Sequence, residues 1–459
     1  MAPLDDLSEK LAPLLGEFLP LQRWYSGDEH PTRVGVTVLD LRPGVPLFAW
    51  LLVDVTTAEG GEATYQLALG GRPVTAEPDF LHGKARATVG VVDDVVYYDA
   101  LVDPELALLV FGIVAPDEEA KVARPLLVEQ SNTSVVYDER FILKFFRRIS
   151  DGPNLDVEVT KALVDRDFPH VVPQLEPHRR DDGSDLAVVR QYLLGATDAW
   201  DLAHPSLRVS RASPLPDSDT GAACGAEAAT LGDVTARLHL ALADAYGVED
   251  GSPDEWLAGF HAQLDRLAQH PPANPGAAGG PRIAPGDVVD VAGVGALLDD
   301  LADVEAPGAA IRGHGDLHLG QFLLADSGWY VIDFEGEPAR PVAERTRPSS
   351  PLRDVAGMVR SFQYAARTAL VERGRDIDDG IVAMADDWEA RAVAAFWRGY
   401  TAVDGIAALL PDSEADQHKL LRAFELDKAV YEVIYELGHR PDWVDVPASA
   451  IRRALAPVA

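Results

Sequence analysis

The pattern of apolar and polar positions changes character near residue 195. Before this point, short runs rich in β-branched and aromatic residues alternate with clusters of Gly, Pro and Asp, which is the usual signature of strands and turns. Two stretches in the same part, at 4–15 and 156–164, instead show helical spacing. The strands predicted in this way lie at residues 34–41, 48–55, 64–69, 85–89, 126–129, 135–137, 140–146 and 186–194.

Beyond residue 195, helical spacing of apolar residues dominates. Leu231 and Val234 begin one such series, in a helix predicted for residues 228–243. Stretches rich in Gly, Pro and small residues predict loops at 211–225 and 271–286. A strand-rich first part followed by a helix-rich second part predicts an α+β protein of two lobes.

The composition narrows the class of ligand. The chain has 459 residues, of which 47% are apolar and 25% charged, as in an ordinary globular protein. The 74 acidic residues outnumber the 40 basic ones, so the formal net charge is −34. Such a charge repels phosphate backbones and anionic lipid, which argues against a nucleic-acid binder or a polybasic membrane anchor. A nucleotide would therefore need a local cluster of donors together with a metal ion.

Cysteine usage and the N-terminus indicate the compartment. Cys224 is the single cysteine, so a disulfide framework within the chain is excluded and a reducing environment fits. The first residues lack a basic region followed by an apolar run, and no stretch approaches the roughly 18 apolar residues of a membrane span. We therefore predict a soluble, cytoplasmic protein without a membrane partner.

The segment 313–337 carries the clearest chemistry. It begins Gly-His-Gly-Asp-Leu-His-Leu-Gly-Gln, continues through two apolar runs, and closes Ile-Asp-Phe-Glu-Gly-Glu. Phosphoryl transfer needs a carboxylate that accepts or orients the proton of the attacking hydroxyl, and oxygen ligands that hold Mg²⁺ against the phosphates. Asp316, in the Gly- and His-rich loop, suits the first task. A lone Asp in such a loop is more often a turn former, so the whole pattern carries the prediction.

The metal ligands are predicted from a hairpin. The apolar runs at 322–324 and 330–332 would pair as antiparallel strands, which brings Gln321 and Asp333 to the same end. Glu335, two residues further along, projects to the same side if the chain stays extended. These three side chains are the predicted Mg²⁺ ligands.

This pattern resembles the eukaryotic-like aminoglycoside phosphotransferase and choline kinase group. The resemblance rests on the run from His314 to His318 and on Ile-Asp-Phe-Glu at 332–335. It implies a bilobal fold like that of the eukaryotic protein kinases, with Asp316 as the catalytic residue and ATP as donor. It also implies that Gln321 and Asp333 hold magnesium. The group usually has Asn where this chain has Gln321, whose amide oxygen reaches one methylene further.

A kinase of this kind also needs a lysine for the α- and β-phosphates and a glutamate that orients it. Lys144 lies in an apolar strand, in a chain with only seven lysines, and Glu158 follows on the next predicted helix. The alternatives are a surface lysine and a solvated helix glutamate. The preceding turn, residues 130–134, stands where a phosphate-covering loop belongs, although it lacks glycine, and residues 191–193 would form the hinge that receives adenine. The remaining predicted nucleotide contacts are Ser131, Asn132, Thr133, Ser134, Gln191 and Leu193.

Further strings are similar to the actinobacterial maltokinases. They include Gln-Arg-Trp-Tyr at 22–25, Glu-Gln-Ser-Asn-Thr-Ser at 129–134 and Leu-Asp-Lys-Ala-Val-Tyr-Glu at 426–432, and they span nearly the whole chain. The resemblance implies transfer of the ATP γ-phosphate to the anomeric hydroxyl of maltose, and the product, maltose 1-phosphate, feeds α-glucan synthesis. A physical partnership with a trehalose-isomerising enzyme is something this family allows.

The same resemblance implies three segments. Residues 1–100 would form an N-terminal cap subdomain, residues 101–195 the ATP-binding lobe, and residues 196–459 a helical lobe with the catalytic loop and acceptor site.

The last long helix offers candidate acceptor contacts. At about 100° per residue, Leu426, Val430 and Leu437 fall on one apolar stripe, and two tyrosines one turn apart fall on the polar side. Aromatic faces beside carboxylates suit a sugar, although the tyrosines could equally pack on a neighbouring helix. The predicted acceptor contacts are Asp427, Lys428, Tyr431, Glu432, Tyr435 and, from the catalytic loop, His318.

Two alternatives remain open at this stage. A kinase of glucosamine would share the catalytic loop, and acidic residues of the last helix would receive an ammonium as readily as hydroxyls. A kinase-shaped protein without activity is the other alternative. The presence of Lys144, Asp316 and Asp333 together argues against it, because such a protein has no chemical need for all three.

Overall fold

The computed structural model describes residues 4–25, 30–58, 60–76, 79–126, 131–207, 218–274, 282–338, 340–373 and 378–455. The chain forms two compact units. The first unit consists of Met1–Lys161 and Val172–Leu194, and the second of Ala162–Val171 and Gly195–Ala459.

Two antiparallel sheets build the first unit. One sheet has the strand order β1-β2-β3-β5-β4, with β9 paired to β3, and the other has the order β10-β11-β8-β7-β6. The elements are α1 (Leu4–Phe18), β1 (Arg33–Arg42), β2 (Leu47–Thr56), β3 (Glu62–Pro73), β4 (Thr88–Val92), β5 (Val95–Asp99), α2 (Pro104–Val114), β6 (Ala123–Pro125), β7 (Thr133–Tyr137), β8 (Phe141–Phe145), β9 (Arg148–Ile149), α3 (Leu155–Val164, whose last turn belongs to the second unit), β10 (His178–Arg179) and β11 (Asp185–Gln191).

Strand β2 shows how the first unit forms its cores. Successive side chains of a strand point to opposite faces, and in β2 both faces are apolar. Trp50 and its alternate neighbours pack with α2 and the second sheet, whereas Leu51 and its alternate neighbours pack against α1. The first sheet is therefore buried on both sides along this strand.

The second unit is mainly helical. Its elements are β12 (Thr197–Asp198), α4 (Ala199–Leu207), α5 (Ser218–Tyr246), β13 (Glu249–Asp250), α6 (Pro253–Gln269), α7 (Pro285–Val288), α8 (Val291–Asp299), β14 (Ala309–Ala310), β15 (Phe322–Ala325), β16 (Gly328–Val331), α9 (Val342–Arg345), α10 (Leu352–Arg373), α11 (Asp379–Thr401), α12 (Glu414–His439) and α13 (Asp445–Leu455). Helix α12 packs against α10, α6 and α13, and α5 packs along α11.

Two glycines allow α5 and α11 to approach closely. A Cβ atom on Gly232 would lie 2.1 Å from the carbonyl oxygen of Phe396, and one on Gly399 would lie 1.9 Å from that of Ala229. Both distances are far inside van der Waals contact, so each position requires glycine at this helix spacing.

The predicted α+β class is confirmed, with a sheet-rich N-terminal part and a helical C-terminal part. The strand predicted at 85–89 is misplaced, because a 3₁₀ turn occupies Ala85–Ala87 and β4 begins at Thr88. The elements β5 and α2 were not predicted from the sequence. In α2, apolar residues surround the helix, so its pattern lacks a clear period. Of the strand predicted at 126–129, residues 127–129 lie outside the described residues.

The loop prediction for 211–225 is wrong from residue 218 onward, where α5 begins. A composition rich in Gly and Ala is typical of linkers, but alanine also has the highest helix propensity. In the second predicted loop, Ala273 and Ile283 pair as an isolated bridge and α7 begins at Pro285. Among the described residues, no helix combines the length and apolar character needed to cross a membrane.

Candidate active site

The loop that carries Asp316 is held through its backbone. Asp354, in the first turn of α10, accepts hydrogen bonds from the amides of His314 at 2.7 Å and Gly315 at 2.9 Å. The imidazole of His239 lies 3.1 Å from the same carboxylate. Burial alone would raise the pKa of Asp354, but the interactions with His239 and the loop amide outweigh it and lower the pKa to about 2. Its neighbour in sequence, Arg353, instead pairs with Glu337 at 3.2 Å.

The predicted hairpin is present. Strands β15 and β16 pair with Phe322 opposite Val331, and the amide of Ile332 donates to the carbonyl of Gln321 at 3.0 Å. Gln321 and Asp333 therefore lie at the same end of the hairpin. Asp333 has φ of +67°, a left-handed conformation that costs a non-glycine residue roughly 1–3 kcal/mol and is commonest at functional sites.

The donor set at this end of the hairpin fits a hard divalent cation. Gln321 and Asp333 offer an amide oxygen and a carboxylate, the ligands that Mg²⁺ prefers. Glu335 adds a second carboxylate nearby in the chain, and its backbone carbonyl accepts a hydrogen bond from Arg345 at 2.9 Å. The loop and the hairpin are joined, because the imidazole Nε2 of His314 lies 3.0 Å from the carbonyl oxygen of Ile332.

Lys428 on α12 links two acidic residues of the segment 313–337. Its Nζ atom lies 2.8 Å from Oδ1 of Asp316 and 2.7 Å from Oε1 of Glu337. Glu337, which is buried, also pairs with Arg353 at 3.2 Å and with Arg340. Glu337 was absent from the predicted site. Its glycine- and proline-flanked position resembles an ordinary turn, and its partner Lys428 is 91 residues away in sequence.

The ion pair sets the charge state of Asp316. Burial alone would raise the pKa of this carboxyl, but the attraction of Lys428 outweighs burial and holds the pKa below its usual range. Burial likewise opposes the charge of Lys428, and the carboxylates of Asp316 and Glu337 raise its pKa above the ordinary lysine value. At neutral pH both groups are therefore charged, and Asp316 is able to accept a hydrogen bond from a hydroxyl.

A cavity of about 500 Å³ opens beside Asp316, and we call it the Asp316 cavity. This size lies within the roughly 300–1,000 Å³ of small-molecule sites. Of the predicted acceptor contacts, Asp427 does not line this cavity. The others do, and these are His318, Lys428, Tyr431, Glu432 and Tyr435. Five aromatic side chains contribute to its wall, and these are Trp200, Tyr364, Tyr431, Tyr435 and Trp443.

The other carboxylates of the Asp316 cavity are also paired. Glu432 accepts hydrogen bonds from the buried guanidinium of Arg360, one of them at 3.1 Å. Glu436 pairs with Arg440 at 2.6 Å and accepts a hydrogen bond from the hydroxyl of Tyr364. Each acidic side chain that lines the cavity therefore faces a cation.

His318 connects this cavity with the hairpin. Its Nδ1 accepts a hydrogen bond from the amide of Gly320 at 3.1 Å, and its Nε2 lies 3.2 Å from the amide nitrogen of Gln321. Burial lowers the pKa of His318, which favours the neutral imidazole at pH 7. His318 is thus in contact with Gln321 and also lines the cavity.

In the first unit, Lys144 pairs with an acidic residue of α3. Its Nζ atom lies 3.0 Å from Oδ2 of the fully buried Asp156, which also pairs with Arg190 at 3.0 Å. Burial alone would raise the pKa of Asp156, but the two cations outweigh burial and lower it. The sequence had named Glu158, which lies two residues further along α3 and is half-buried. The structure adds Asp156 as a partner of the strand lysine.

The remaining predicted nucleotide residues lie at strand ends. Ser131 is exposed and Asn132 is buried, just before β7, while Thr133 and Ser134 begin that strand. The hydroxyl oxygen of Thr133 accepts a hydrogen bond from Arg147 at 2.8 Å. Gln191 ends β11 and Leu193 follows it. The first residue of the predicted loop, Gln130, lies outside the described residues.

Three comparisons with known proteins bear on this arrangement. Residues 18–103 match the family model described as the maltokinase N-terminal cap domain. A glucosamine kinase from Streptacidiphilus jiangxiensis is 31% identical over 336 residues, which is 71% of each chain. A second glucosamine kinase, from Mycolicibacterium smegmatis, is 29% identical over 340 residues, covering 73% of this chain and 80% of the relative.

Solved structures of glucosamine kinase share the fold. One crystal form superposes with a TM-score of 0.67 at 24% identity, covering 98% of this chain and 97% of the other. The complex of a glucosamine kinase with glucosamine, ADP and inorganic phosphate gives a TM-score of 0.62, also at 24% identity, over 99% of this chain and 100% of the other. At this identity the superpositions support the fold alone.

The cap domain and the long match to a curated relative agree with the catalytic-loop pattern and its kinase-like resemblance. The chain carries a maltokinase N-terminal cap domain, it belongs to the same family of sugar kinases as its actinobacterial relatives, and it is a phosphotransferase with a hydroxyl group as acceptor.

Proposed function

We propose that this protein transfers the γ-phosphate of ATP to the anomeric hydroxyl of maltose and so produces maltose 1-phosphate for α-glucan synthesis. The observation that carries the choice of acceptor is the charge balance of the Asp316 cavity. Its carboxylates are Asp316, Glu432 and Glu436, and each already has a cationic partner in Lys428, Arg360 or Arg440.

A cavity in which each carboxylate is already paired with a cation favours an uncharged acceptor. The ammonium group of an amino sugar is stabilised by a carboxylate that lacks a cation of its own, because a second cation beside Lys428 or Arg360 would be repelled. A neutral hydroxyl faces no such penalty, since a carboxylate that holds one cation still has lone pairs for a further hydrogen bond. The aromatic wall then offers apolar surface for the C–H faces of a sugar ring.

The proposed role of Asp316 follows from its position and charge. It lines the cavity and is ionised, so its carboxylate is placed to orient the acceptor hydroxyl and to accept its proton as the phosphoryl group is transferred. Lys428 keeps Asp316 ionised, and Asp354 holds the backbone of the loop in place. Mg²⁺ bound by Gln321 and Asp333, with Glu335 as a further ligand, would neutralise charge on the phosphates.

The nucleotide would be held by residues of the first unit. Lys144 is proposed to pair with the α- and β-phosphates, with Asp156 and Glu158 as the acidic residues of α3 that orient it. Residues Ser131, Asn132, Thr133 and Ser134 are proposed to cover the phosphates through amide and hydroxyl donors, and Gln191 and Leu193 to receive the adenine.

Glucosamine is the second candidate acceptor. The observation that favours it is the 31% identity to a glucosamine kinase over 71% of the chain. An ammonium would have to displace Lys428 or Arg440 from its carboxylate, and Arg440 is the easier of the two because its side chain is half exposed.

The test is ATP consumption by the purified protein with maltose, glucosamine, glucose and an aminoglycoside as separate acceptors. Maltose should give the highest kcat/KM, and phosphorus NMR of the product should show a phosphate coupled to an anomeric proton. Asp316→Asn is the control for turnover at this site. Turnover of glucosamine without turnover of maltose would overturn the assignment of the acceptor but leave the kinase intact.

A further inference from the structure

A second cavity lies in the helical unit, and we call it the Trp256 cavity. Its volume is about 630 Å³, and it has no lining residue in common with the Asp316 cavity. Side chains of α6 and α12 and the segment around α9 form its walls. The residues that matter here are Trp256, Phe260, Phe424, Arg340, Arg353 and Asp427.

Asp427 is the buried polar group of this cavity. The residue is 8% exposed, and Oδ2 accepts a hydrogen bond from Arg340 at 3.2 Å. The other oxygen, Oδ1, is buried and has no hydrogen-bond partner among the residues that the structure describes. A buried acceptor without a donor is unfavourable, and a ligand hydroxyl would supply the missing donor once the carboxylate turns toward the cavity.

Aromatic side chains form the apolar part of the same cavity. The ring of Phe424 lies 5.6 Å from that of Trp256 and 5.2 Å from that of Phe260, measured between centroids. The three rings are largely buried and line the same cavity as Asp427. Apolar area beside a buried oxygen acceptor suits the C–H face and the hydroxyls of a sugar.

The charges around the Trp256 cavity also balance. Glu337 does not line the cavity but pairs with two of its arginines, Arg340 and Arg353. The charged residues of the lining are Arg266, Arg340, Arg347, Arg353, Glu255, Glu344 and Asp427. Four cations thus face four carboxylates. An uncharged ligand is favoured over an anion, because the two arginines nearest Asp427 are already neutralised by carboxylates.

We propose that the Trp256 cavity is a second binding site for an uncharged sugar, separate from the acceptor site and independent of which sugar is phosphorylated. A ring packs on the aromatic cluster and one hydroxyl donates to Oδ1 of Asp427. The site is connected to Asp316 through successive ion pairs, from Asp427 to Arg340, Glu337 and Lys428.

The experiment follows the indole N–H signals of the full-length protein by NMR during titration with maltose. The Trp256→Phe variant identifies the signal of Trp256, which reports on this cavity, and Trp200 and Trp443 report on the Asp316 cavity. Gly259→Leu fills the Trp256 cavity from the exposed side of α6, where a Cβ atom meets nothing within 4 Å. Gly112→Leu is the matched control, a helical glycine in α2 whose Cβ is equally free.

Maltose should shift the Trp256 signal saturably in the unmodified protein and in Gly112→Leu. In Gly259→Leu the affinity read from this signal should fall by about tenfold or more, while the signals of Trp200 and Trp443 respond as before. A Trp256 signal that stays unmoved, or that moves equally in Gly259→Leu, overturns the second site whatever happens at the Asp316 cavity. A shift produced by inorganic phosphate but not by maltose would identify an anion site and overturn the sugar.

Discussion

Lys428 Nζ lies 2.8 Å from Oδ1 of Asp316, although the two residues are 112 positions apart in the sequence. The contact places the polar face of α12 against the loop that carries Asp316. It also means that the proposed base is held ionised by a residue of the helix that lines the Asp316 cavity. Lys428 therefore acts both on the charge of Asp316 and on the lining of this cavity.

Replacing Lys428 by methionine should raise the pKa of Asp316. Without the ammonium group, burial and the neighbouring carboxylate of Glu337 both oppose ionisation, so the pKa rises from its depressed value. The acid limb of the profile of kcat/KM against pH should then move to higher pH, and activity at neutral pH should fall. Lys419→Met, on the same helix and distant from the cavity, is the control. An acid limb at the same pH in both variants would contradict the coupling.

The hydrogen bonds that Asp354 accepts from the amides of His314 and Gly315 should contribute to stability in a pH-dependent way. The pKa of Asp354 is lowered to about 2 from the ordinary aspartate value of 3.8, so the stabilising effect is present above the unfolded value and is lost as the pH falls toward 2. Asp354→Asn should lower the free energy of unfolding at pH 7 by roughly 2 kcal/mol. The difference between variant and unmodified protein should shrink as the pH falls below about 4.

Urea denaturation at a series of pH values measures this difference. Asp442→Asn changes an exposed aspartate and is the control, with an expected effect within about 0.5 kcal/mol. A loss for Asp354→Asn that stays constant down to the lowest pH would argue against the ionised carboxylate as the source of the stabilisation.

The divalent cation should be required for turnover, and Gln321 should set its affinity. EDTA should abolish activity and added Mg²⁺ restore it. Gln321→Ala removes one proposed oxygen ligand, so the Mg²⁺ concentration for half-maximal activity should rise, by about tenfold or more if the ligand is worth 1.4 kcal/mol. Asp326→Ala removes an exposed carboxylate between the two strands of the hairpin and should leave this concentration unchanged. Full activity in EDTA would exclude the metal role of Gln321 and Asp333.

The close approach of α5 and α11 should make Gly399 intolerant of any side chain. The added Cβ of Gly399→Ala would lie 1.9 Å from a backbone oxygen, so the helices must move apart, at a cost of about 1–3 kcal/mol. The matched change Gly438→Ala meets nothing within 4 Å near the end of α12 and should be neutral or stabilise by up to about 1 kcal/mol. Thermal unfolding of the two variants measures the contrast, and equal melting temperatures would show that the helix pair relaxes freely.

Local sequence determined much of the fold and one part of the site. Alternating and helical spacing located most strands and long helices, because the buried residues of each element recur at a regular interval in the sequence. The hairpin that brings Gln321 and Asp333 together was predictable for the same reason, since its two strands are separated by only two residues. The element α2 was missed because its apolar residues surround the helix and leave no polar face to define a period.

Contacts between distant segments were decided by the tertiary structure alone. The sequence identified Lys428 as a candidate acceptor contact but not as the partner of Asp316, and it did not identify Glu337 or Asp156 at all. Ion pairs of this kind depend on how helices pack, and packing is set by the sum of many weak apolar contacts over the whole unit. The sequence therefore identifies the residue types that are capable of phosphoryl transfer. The ion pairs that set the charge of each of these residues form only when the chain is folded.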